Sequence, residues 1–201
     1  MENKQTIEIT RKYFDIPDIG IVDKERRRLR RRARFKRITL RTASTLLVVA
    51  AVAVLVATLF LPILQVSGES MEPALYDKDV ILLLKTKGFT TGDLIGFYHD
   101  GKILLKRVIA GPGDTVLIDE AGNVYVNQVL LDEPYVSEKT KGDCDIEFPY
   151  TVPGEVYFVM GDHRAVSVDS RNDEIGCISY DLIIGRIFWR IWPFSRFSGV
   201  A

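Results

Sequence analysis

Residues 43–64, ASTLLVVAAVAVLVATLFLPIL, contain no charged side chain in 22 positions. As an α-helix rising about 1.5 Å per residue the stretch is about 33 Å long, enough to cross a bilayer core of about 30 Å. A buried core helix would carry polar groups on one face, whereas only Ser44, Thr45 and Thr58 interrupt this one. The stretch therefore reads as a single transmembrane helix, with Pro62 at its outer end, where a missing N–H is tolerated.

The formal net charge of the 201-residue chain is zero, but the charge is unevenly placed. Residues 1–42 hold 14 Lys/Arg against 6 Asp/Glu, leaving 13 against 21 in residues 43–201. Eleven of the basic residues lie from Lys24 to Arg41, directly before the apolar stretch. Positive residues stay on the cytoplasmic side, so the N-terminus is expected inside and the remainder outside, at the cell membrane. The Arg run lacks interleaved aromatics apart from Phe35, so it reads as a topology determinant with affinity for the lipid bilayer, and not as a nucleic-acid site. The apolar run is longer than the core of a cleaved leader and its basic head is about 42 residues long, which argues for a retained anchor. The expected organisation is a basic cytoplasmic segment over 1–42, a transmembrane helix over 43–64 and an extracytoplasmic domain over 65–201.

Beyond residue 64 the pattern changes to short apolar runs of period two, broken by Gly, Pro, Asn and Asp. Strands are expected over 80–85, 94–98, 103–109, 115–118, 123–126 and 156–160. Turns are expected at Ala121-Gly122-Asn123, at Asn127-Gln128 and at Gly111-Pro112-Gly113-Asp114. No helical stretch of useful length follows the anchor, so the outer domain reads as all-β, of barrel or sandwich type. A hydrophobic content of 47% excludes a disordered chain, and two Cys exclude a disulfide-dense miniprotein or a multi-Cys zinc module. Cys144 and Cys177 lie in the outer domain, where a bridge could persist; the sequence leaves open whether they pair or are two small buried thiols.

Few residues can carry chemistry. With His99 and His163 as the only histidines, a Ser-His-Asp triad is weakly supported, and no metal-ligand spacing or phosphate-binding glycine loop is present. Ser67-Gly68-Glu69-Ser70-Met71-Glu72-Pro73 stands out as a tight turn presenting Ser70, although a serine in a turn is most often structural. Lys106 stands out because residues two apart in a strand share a face: Leu104, Lys106 and Val108 line one side, Leu105, Arg107 and Ile109 the other. If that strand is packed on both sides, one basic residue points into apolar surroundings, and Lys is the one that can lose its proton there. The alternative is a Lys whose stem is buried and whose amine reaches solvent.

These segments, taken in order, resemble the type I signal peptidases, the Ser/Lys membrane peptidases of family S26 that remove signal peptides from exported proteins. Residues 67–75 (SGESMEPAL) resemble the nucleophile box G-x-S-M-x-P-T-L. Residues 92–97 (GDLIGF) are similar to the next strand box, and residues 106–114 (KRVIAGPGD) to the box carrying the general base. Residues 161–171 (GDHRAVSVDSR) resemble G-D-N-R-x-x-S-x-D-S-R, and residues 185–193 (GRIFWRIWP) the family's ending. The resemblance spans about residues 40–195.

It implies a signal-peptidase-type β-barrel behind one N-terminal membrane helix, with Ser70 as nucleophile and Lys106 as general base. Ser167 matches the hydroxyl that orients the lysine amine, while Asp169 and Arg171 match a supporting ion pair; Gly68 and Met71 flank the nucleophile as supporting positions. Gly68 two residues before Ser70 resembles the Gram-positive branch, so the oxyanion would rest mainly on the Ser70 N–H. Ala74 departs from the usual Thr, Lys78-Asp79 from Gly-Asp, His163 from Asn, and Ala165-Val166 from polar residues. The resemblance further implies secretory preproteins as substrates, cut after small residues in an Ala-x-Ala pattern, a monomeric enzyme, and no metal or cofactor.

A Lys amine at its reference pKa near 10.4 is neutral in roughly one molecule in a thousand at pH 7.4, so the site must lower it by about two to three pH units. Burial can supply that. An extended substrate is expected to pair with a strand edge, with the strand near 80–84 the candidate. Phe188, Trp189, Trp192, Phe194 and Phe197 are candidates for either the lipid interface or core packing. Two further readings share the scaffold: a self-cleaving repressor-like protease, against which the membrane span argues, and a non-catalytic pilin-assembly factor, which would be expected to lose Ser70 or Lys106.

Overall fold

A computed structural model describes residues 19–200. The first 18 residues of the basic segment, and Ala201, lie outside the described residues. Helix α1 runs Ile19–Phe60 over 42 residues. It is the one described helix long and apolar enough to cross a membrane, with a mean hydropathy of 2.1 in its most apolar window. Ser44 Oγ and Thr45 Oγ1 each donate to the Arg41 carbonyl at 2.9 Å, which hides both hydroxyls against the backbone. The basic residues 24–41 continue the same helix. At the other end Leu61 N–H donates to Ala57 O, and Pro62 stops the helix, so Ile63 and Leu64 are strand and not part of the helical apolar run.

Residues 63–199 form twelve strands: β1 Ile63–Gln65, β2 Val80–Leu84, β3 Leu94–His99, β4 Lys102–Ala110, β5 Thr115–Ile118, β6 Val124–Val126, β7 Val129–Leu130, β8 Tyr150–Thr151, β9 Val156–Met160, β10 Ile178–Ser179, β11 Ile183–Trp192 and β12 Ser198–Gly199. The first sheet has the order β1-β2-β11-β3-β4-β9-β10, with β12 on the free side of β11; the second has the order β7-β6-β5-β8. Every pairing is antiparallel. Among the described residues the helical content outside α1 is two single 3-10 turns, Tyr180–Leu182 and Phe194–Arg196. The expected all-β domain behind one N-terminal helix is what the chain forms.

Apolar side chains collect in three buried groups. Ile109, Val116, Val124, Phe158 and Met160 fill the space against the second sheet. Ile95, Phe97, Val108 and Val159 pack on one face of the first sheet, and Val66, Met71, Leu75, Ile81, Leu83, Leu94 and Ile187 on the other. The second half of strand β4, from residue 106 to residue 110, is therefore buried on both faces, and both Lys106 (4% exposed) and Arg107 (1%) are inside, where one alone was expected.

Two edges matter for the site. Strand β2 pairs β1 on one side and β11 on the other, so it is interior and cannot be the open edge expected near 80–84. Two open edges of the first sheet are β1 itself and the first half of β4: β9 pairs β4 only from Arg107 to Ala110, which leaves Lys102 to Lys106 unpaired on that side among the described residues. Cys144 and Cys177 are free thiols; Cys177 Sγ lies 3.7 Å from the Tyr150 hydroxyl. Phe188, Trp192, Phe194 and Phe197 are exposed, so core packing does not account for them.

Candidate active site

Ser70 sits in the turn between β1 and β2. The turn is pinned at its base by Val66 N–H to Asp79 O at 2.8 Å and Lys78 N–H to Val66 O at 2.9 Å. Gly68 has φ +94, a conformation glycine adopts without a Cβ penalty, and its N–H donates to Asp77 Oδ1 at 3.1 Å. Met71, 2% exposed, packs beside Leu75 and Ile81 and anchors the far side of the turn. The two residues flanking Ser70 in the motif are thus structural: one shapes the turn, the other ties it to the core. Asp79, fully buried, accepts from Tyr76 N, from Arg190 and from Arg196, which fixes the end of the turn to the C-terminal strands.

Lys106 reaches the same place from β4. Its Nζ donates to Ser167 Oγ at 2.8 Å. Burial lowers its pKa from 10.5 to about 8; Asp169 and Asp162 pull it back up, and Arg171 pushes it further down. Ser70 and Lys106 line one cleft of about 390 Å³, together with Leu64, Gln65, Val66, Gly68, Met71, Ile103, Leu104 and Leu105. Among the described residues, Ser70 Oγ and the Ser70 N–H have no hydrogen-bond partner, so a hydroxyl and a donor are left for a ligand.

The turn between β9 and β10 completes the arrangement. His163 N–H donates to Ser70 O at 3.1 Å, and His163 O accepts from Ser167 N–H at 3.2 Å, so one residue links the two serines. Gly161 lies between them as well: a Cβ there would stand 2.6 Å from Ser70 O and 2.5 Å from Ser167 Cβ. Asp169 and Arg171, both fully buried, form an ion pair with Arg171 Nε 2.8 Å from Asp169 Oδ1. Asp169 Oδ2 also accepts from Gly161 N–H at 2.9 Å, and Arg171 donates to the carbonyls of Ser167, Arg164 and Lys141.

A family model described as signal peptidase, peptidase S26, matches residues 39–192. The chain is 33% identical over 165 residues to signal peptidase I of Bacillus amyloliquefaciens, covering 77% of this chain and 88% of that one. It is 34% identical over 169 residues to signal peptidase I U of Bacillus subtilis (strain 168), covering 76% and 87%. This chain belongs to the signal peptidase, peptidase S26, family. A solved signal peptidase I from Enterococcus faecalis is 28% identical, covering 50% of this chain and 97% of its own, with a TM-score of 0.43.

This peptidase S26 chain also buries two ion pairs that the sequence did not single out. Arg107 donates to Asp162 through Nε and Nη2 at 2.8 and 2.7 Å, to Gly92 O at 2.7 Å, and stacks 3.8 Å from the Tyr135 ring centroid. Arg164 makes a two-point pair with Glu133, and its Nε donates to Gly161 O at 3.1 Å. Burial raises the pKa of Asp162, against the opposing pull of Arg107, and burial also raises that of Tyr135. Asp162 and Arg164 lie in the GDHR motif, which was the available signal; Glu133 lies in a segment with none. Among the described residues no group of three or more His, Cys, Asp or Glu is placed to hold a metal ion.

Proposed function

We propose that this chain is a membrane-anchored serine endopeptidase that removes N-terminal signal peptides from secretory preproteins, with Ser70 as nucleophile and Lys106 as general base. The observation that carries this reading is that a buried lysine lines the same cleft as an unpartnered serine hydroxyl. A serine hydroxyl needs a base to take its proton as it attacks. With a pKa of about 8, roughly one Lys106 in five is neutral at pH 7.4, against about one in a thousand for an unperturbed lysine. Burial therefore increases the reactive form by about two orders of magnitude.

In the cycle, Ser70 Oγ attacks the scissile carbonyl while neutral Lys106 accepts its proton. The Ser70 N–H, free of protein partners, stabilises the oxyanion. Lys106 then protonates the departing amine, leaving an acyl-enzyme on Ser70. Water, deprotonated by Lys106, hydrolyses that ester and restores the serine. Ser167 holds the amine in line, and the Asp169–Arg171 pair holds Ser167 and Gly161. The proton transfer needs the Lys106 amine within hydrogen-bond reach of Ser70 Oγ, and a substrate seated in the cleft that both residues line excludes water from it.

The substrate binds extended between the open edges of β1 and of the first half of β4, both of which line the cleft. Leu64, Met71, Leu104 and Leu105 give the cleft apolar walls that suit small side chains near the cut. The basic helical segment stays in the cytoplasm, the β domain lies outside, and the exposed aromatics of residues 188–197 rest at the lipid interface. One chain supplies every group in this scheme.

The test is incubation of the detergent-solubilised full chain with a preprotein, followed by mass spectrometry of the new N-terminus. Cleavage after a small residue at the end of the leader is expected, and Ser70→Ala and Lys106→Ala are expected to abolish it while remaining folded. Lys106→Arg is expected to be inactive too, since an arginine stays charged. Full cleavage by any of the three overturns the mechanism.

A further inference from the structure

At the end of β9 remote from Gly161, the residues Glu155, Tyr157, Ser179, Tyr180 and Asp181 line a cavity of about 310 Å³. Glu155 precedes β9 and Gly161 follows it; five strand residues rising about 3.3 Å each keep the cavity about 17 Å from Gly161. Strand pairing brings its parts together. Ile178 pairs Tyr157, Ser179 pairs Val156, and Tyr180 N–H donates to Glu155 O at 3.3 Å. Both tyrosine rings lean on Phe89, whose ring centroid is 5.6 Å from that of Tyr157 and 6.0 Å from that of Tyr180. The Tyr180 hydroxyl is held as well, donating to Thr86 O at 3.3 Å. The aromatic walls are therefore fixed before any ligand arrives.

The polar groups of this cavity are unspent. Tyr157 is only 9% exposed, yet its hydroxyl has no hydrogen-bond partner among the described residues, where a buried tyrosine usually finds one. Ser179 Oγ has none either. Glu155 and Asp181 form no ion pair among the described residues, although Lys85 and Lys87 flank the Thr86 that holds Tyr180. Two carboxylates, an acceptor hydroxyl and aromatic faces all present negative potential, so the cavity suits a cation and repels an anion. A metal ion lacks its ligand set there, since among the described residues no three His, Cys, Asp or Glu converge.

We propose that this cavity binds an arginine side chain of an extended polypeptide, with the guanidinium against the tyrosine rings and paired with Glu155 and Asp181. A guanidinium stacks on aromatic faces and carries five donors in one plane, enough for two carboxylates and the Tyr157 oxygen; a lysine ammonium has three and is more strongly hydrated. Strand β10 is the last strand of the first sheet, so a chain carrying that arginine finds an open strand edge beside the cavity. None of the five lining residues belongs to the cleft of Ser70 and Lys106, and the assignment does not rest on the peptidase reading. It gives the β domain a second attachment point, for a basic protein segment.

The test uses the full chain in detergent, with carbon-13 in its tyrosine rings, and follows the ring signals by NMR as N-acetylarginine amide is added. Of the eight tyrosines, Tyr157 and Tyr180 are expected to shift to saturation while the others stay, the two being assigned by Tyr157→Phe and Tyr180→Phe. N-acetylcitrulline amide, of the same shape without the charge, is expected to shift neither. Glu155→Gln with Asp181→Asn, both at exposed positions, is expected to raise the half-saturating concentration about tenfold or more at an unchanged thermal midpoint. The peptide Gly-Ser-Arg-Ser-Gly is expected to half-saturate at about one fifth the concentration of the single residue, through added main-chain bonds. Its lysine counterpart is expected to need about five times more than the arginine peptide. An equal response to citrulline, shifts confined to other tyrosines, or undiminished binding by the double variant overturns the site. Equal half-saturation by the peptide and the single residue overturns the polypeptide as the source of the guanidinium, and equal half-saturation by the lysine peptide overturns the choice of arginine.

Discussion

Lys106 Nζ donates a 2.8 Å hydrogen bond to Ser167 Oγ, joining strand β4 to a turn 61 residues further along the chain. Both groups are buried, and the bond fixes the direction in which the amine points. Ser167→Ala removes the acceptor without adding volume. The expected result is a fall in kcat of about ten- to hundredfold, the equivalent of losing one hydrogen bond to a chargeable group of about 1.5–3 kcal/mol, with a thermal midpoint close to that of the parent chain. Single-turnover cleavage of one preprotein compares the two.

Activity is expected to rise with pH and level off above a midpoint near 8, because neutral Lys106 is the reactive form and its pKa is about 8. Stability carries the same signature. The folded pKa lies below the ordinary 10.5, so between about pH 8 and 10.5 the unfolded chain holds a proton that the folded chain has released. Stability therefore rises with pH across that window, and the cost of burying the ammonium is present in full below it. Lys106→Met removes the cost. It is expected to stabilise the domain by up to about 3 kcal/mol below pH 8, with the advantage vanishing as the pH approaches 10.5. Denaturant unfolding at pH 7 and pH 10 measures the difference; an advantage that is the same at both would show that the amine is not destabilised by burial.

The sequence made the chemical pair legible and left most of its support hidden. Ser70 and Lys106 lie in short motifs whose residue types announce their chemistry, and the strands around them keep period two. Strand β11 was not read from periodicity because bulges break it: its register against β2 slips between Ile187 and Trp189 and again between Arg190 and Trp192. Strand β1 was concealed inside an apolar run that continues from the helix, and only Pro62 marks the change. Arg107 was passed over in favour of Lys106, because its partner Asp162 is 55 residues away. The Glu133–Arg164 pair spans 31 residues, and nothing local in the sequence near Glu133 calls for a buried carboxylate.

Lys78 has φ +68, a left-handed conformation that costs a residue with a Cβ roughly 1–2 kcal/mol relative to glycine. Its side chain is 83% exposed, and its contact is a 3.9 Å approach to Asp77 at the surface. Its N–H to Val66 O bond, which closes the Ser70 turn, is a backbone contact that a glycine keeps. Lys78→Gly is expected to raise stability by about 0.5–1 kcal/mol once the extra freedom of glycine in the unfolded chain is subtracted. A lowered thermal midpoint would contradict the strain argument.

The Glu133–Arg164 pair separates folding from positioning. Both side chains are fully buried, so Glu133→Ala leaves a guanidinium unpaired in the interior and is expected to cost about 3–5 kcal/mol. Replacing both partners with apolar residues, Glu133→Leu with Arg164→Met, avoids the stranded charge and is expected to recover most of that stability. Activity is expected not to recover with it. Arg164 Nε holds Gly161 O, Gly161 N–H is held by Asp169, and Gly161 is the residue wedged between Ser70 and Ser167. With Arg164 gone the wedge is held from one side only, and the hydroxyl of Ser167 loses its fixed distance to Lys106. Unfolding free energy and kcat measured on the same preparations decide the matter: recovery of both in the double variant would show that the pair contributes to folding and has no part in aligning the site.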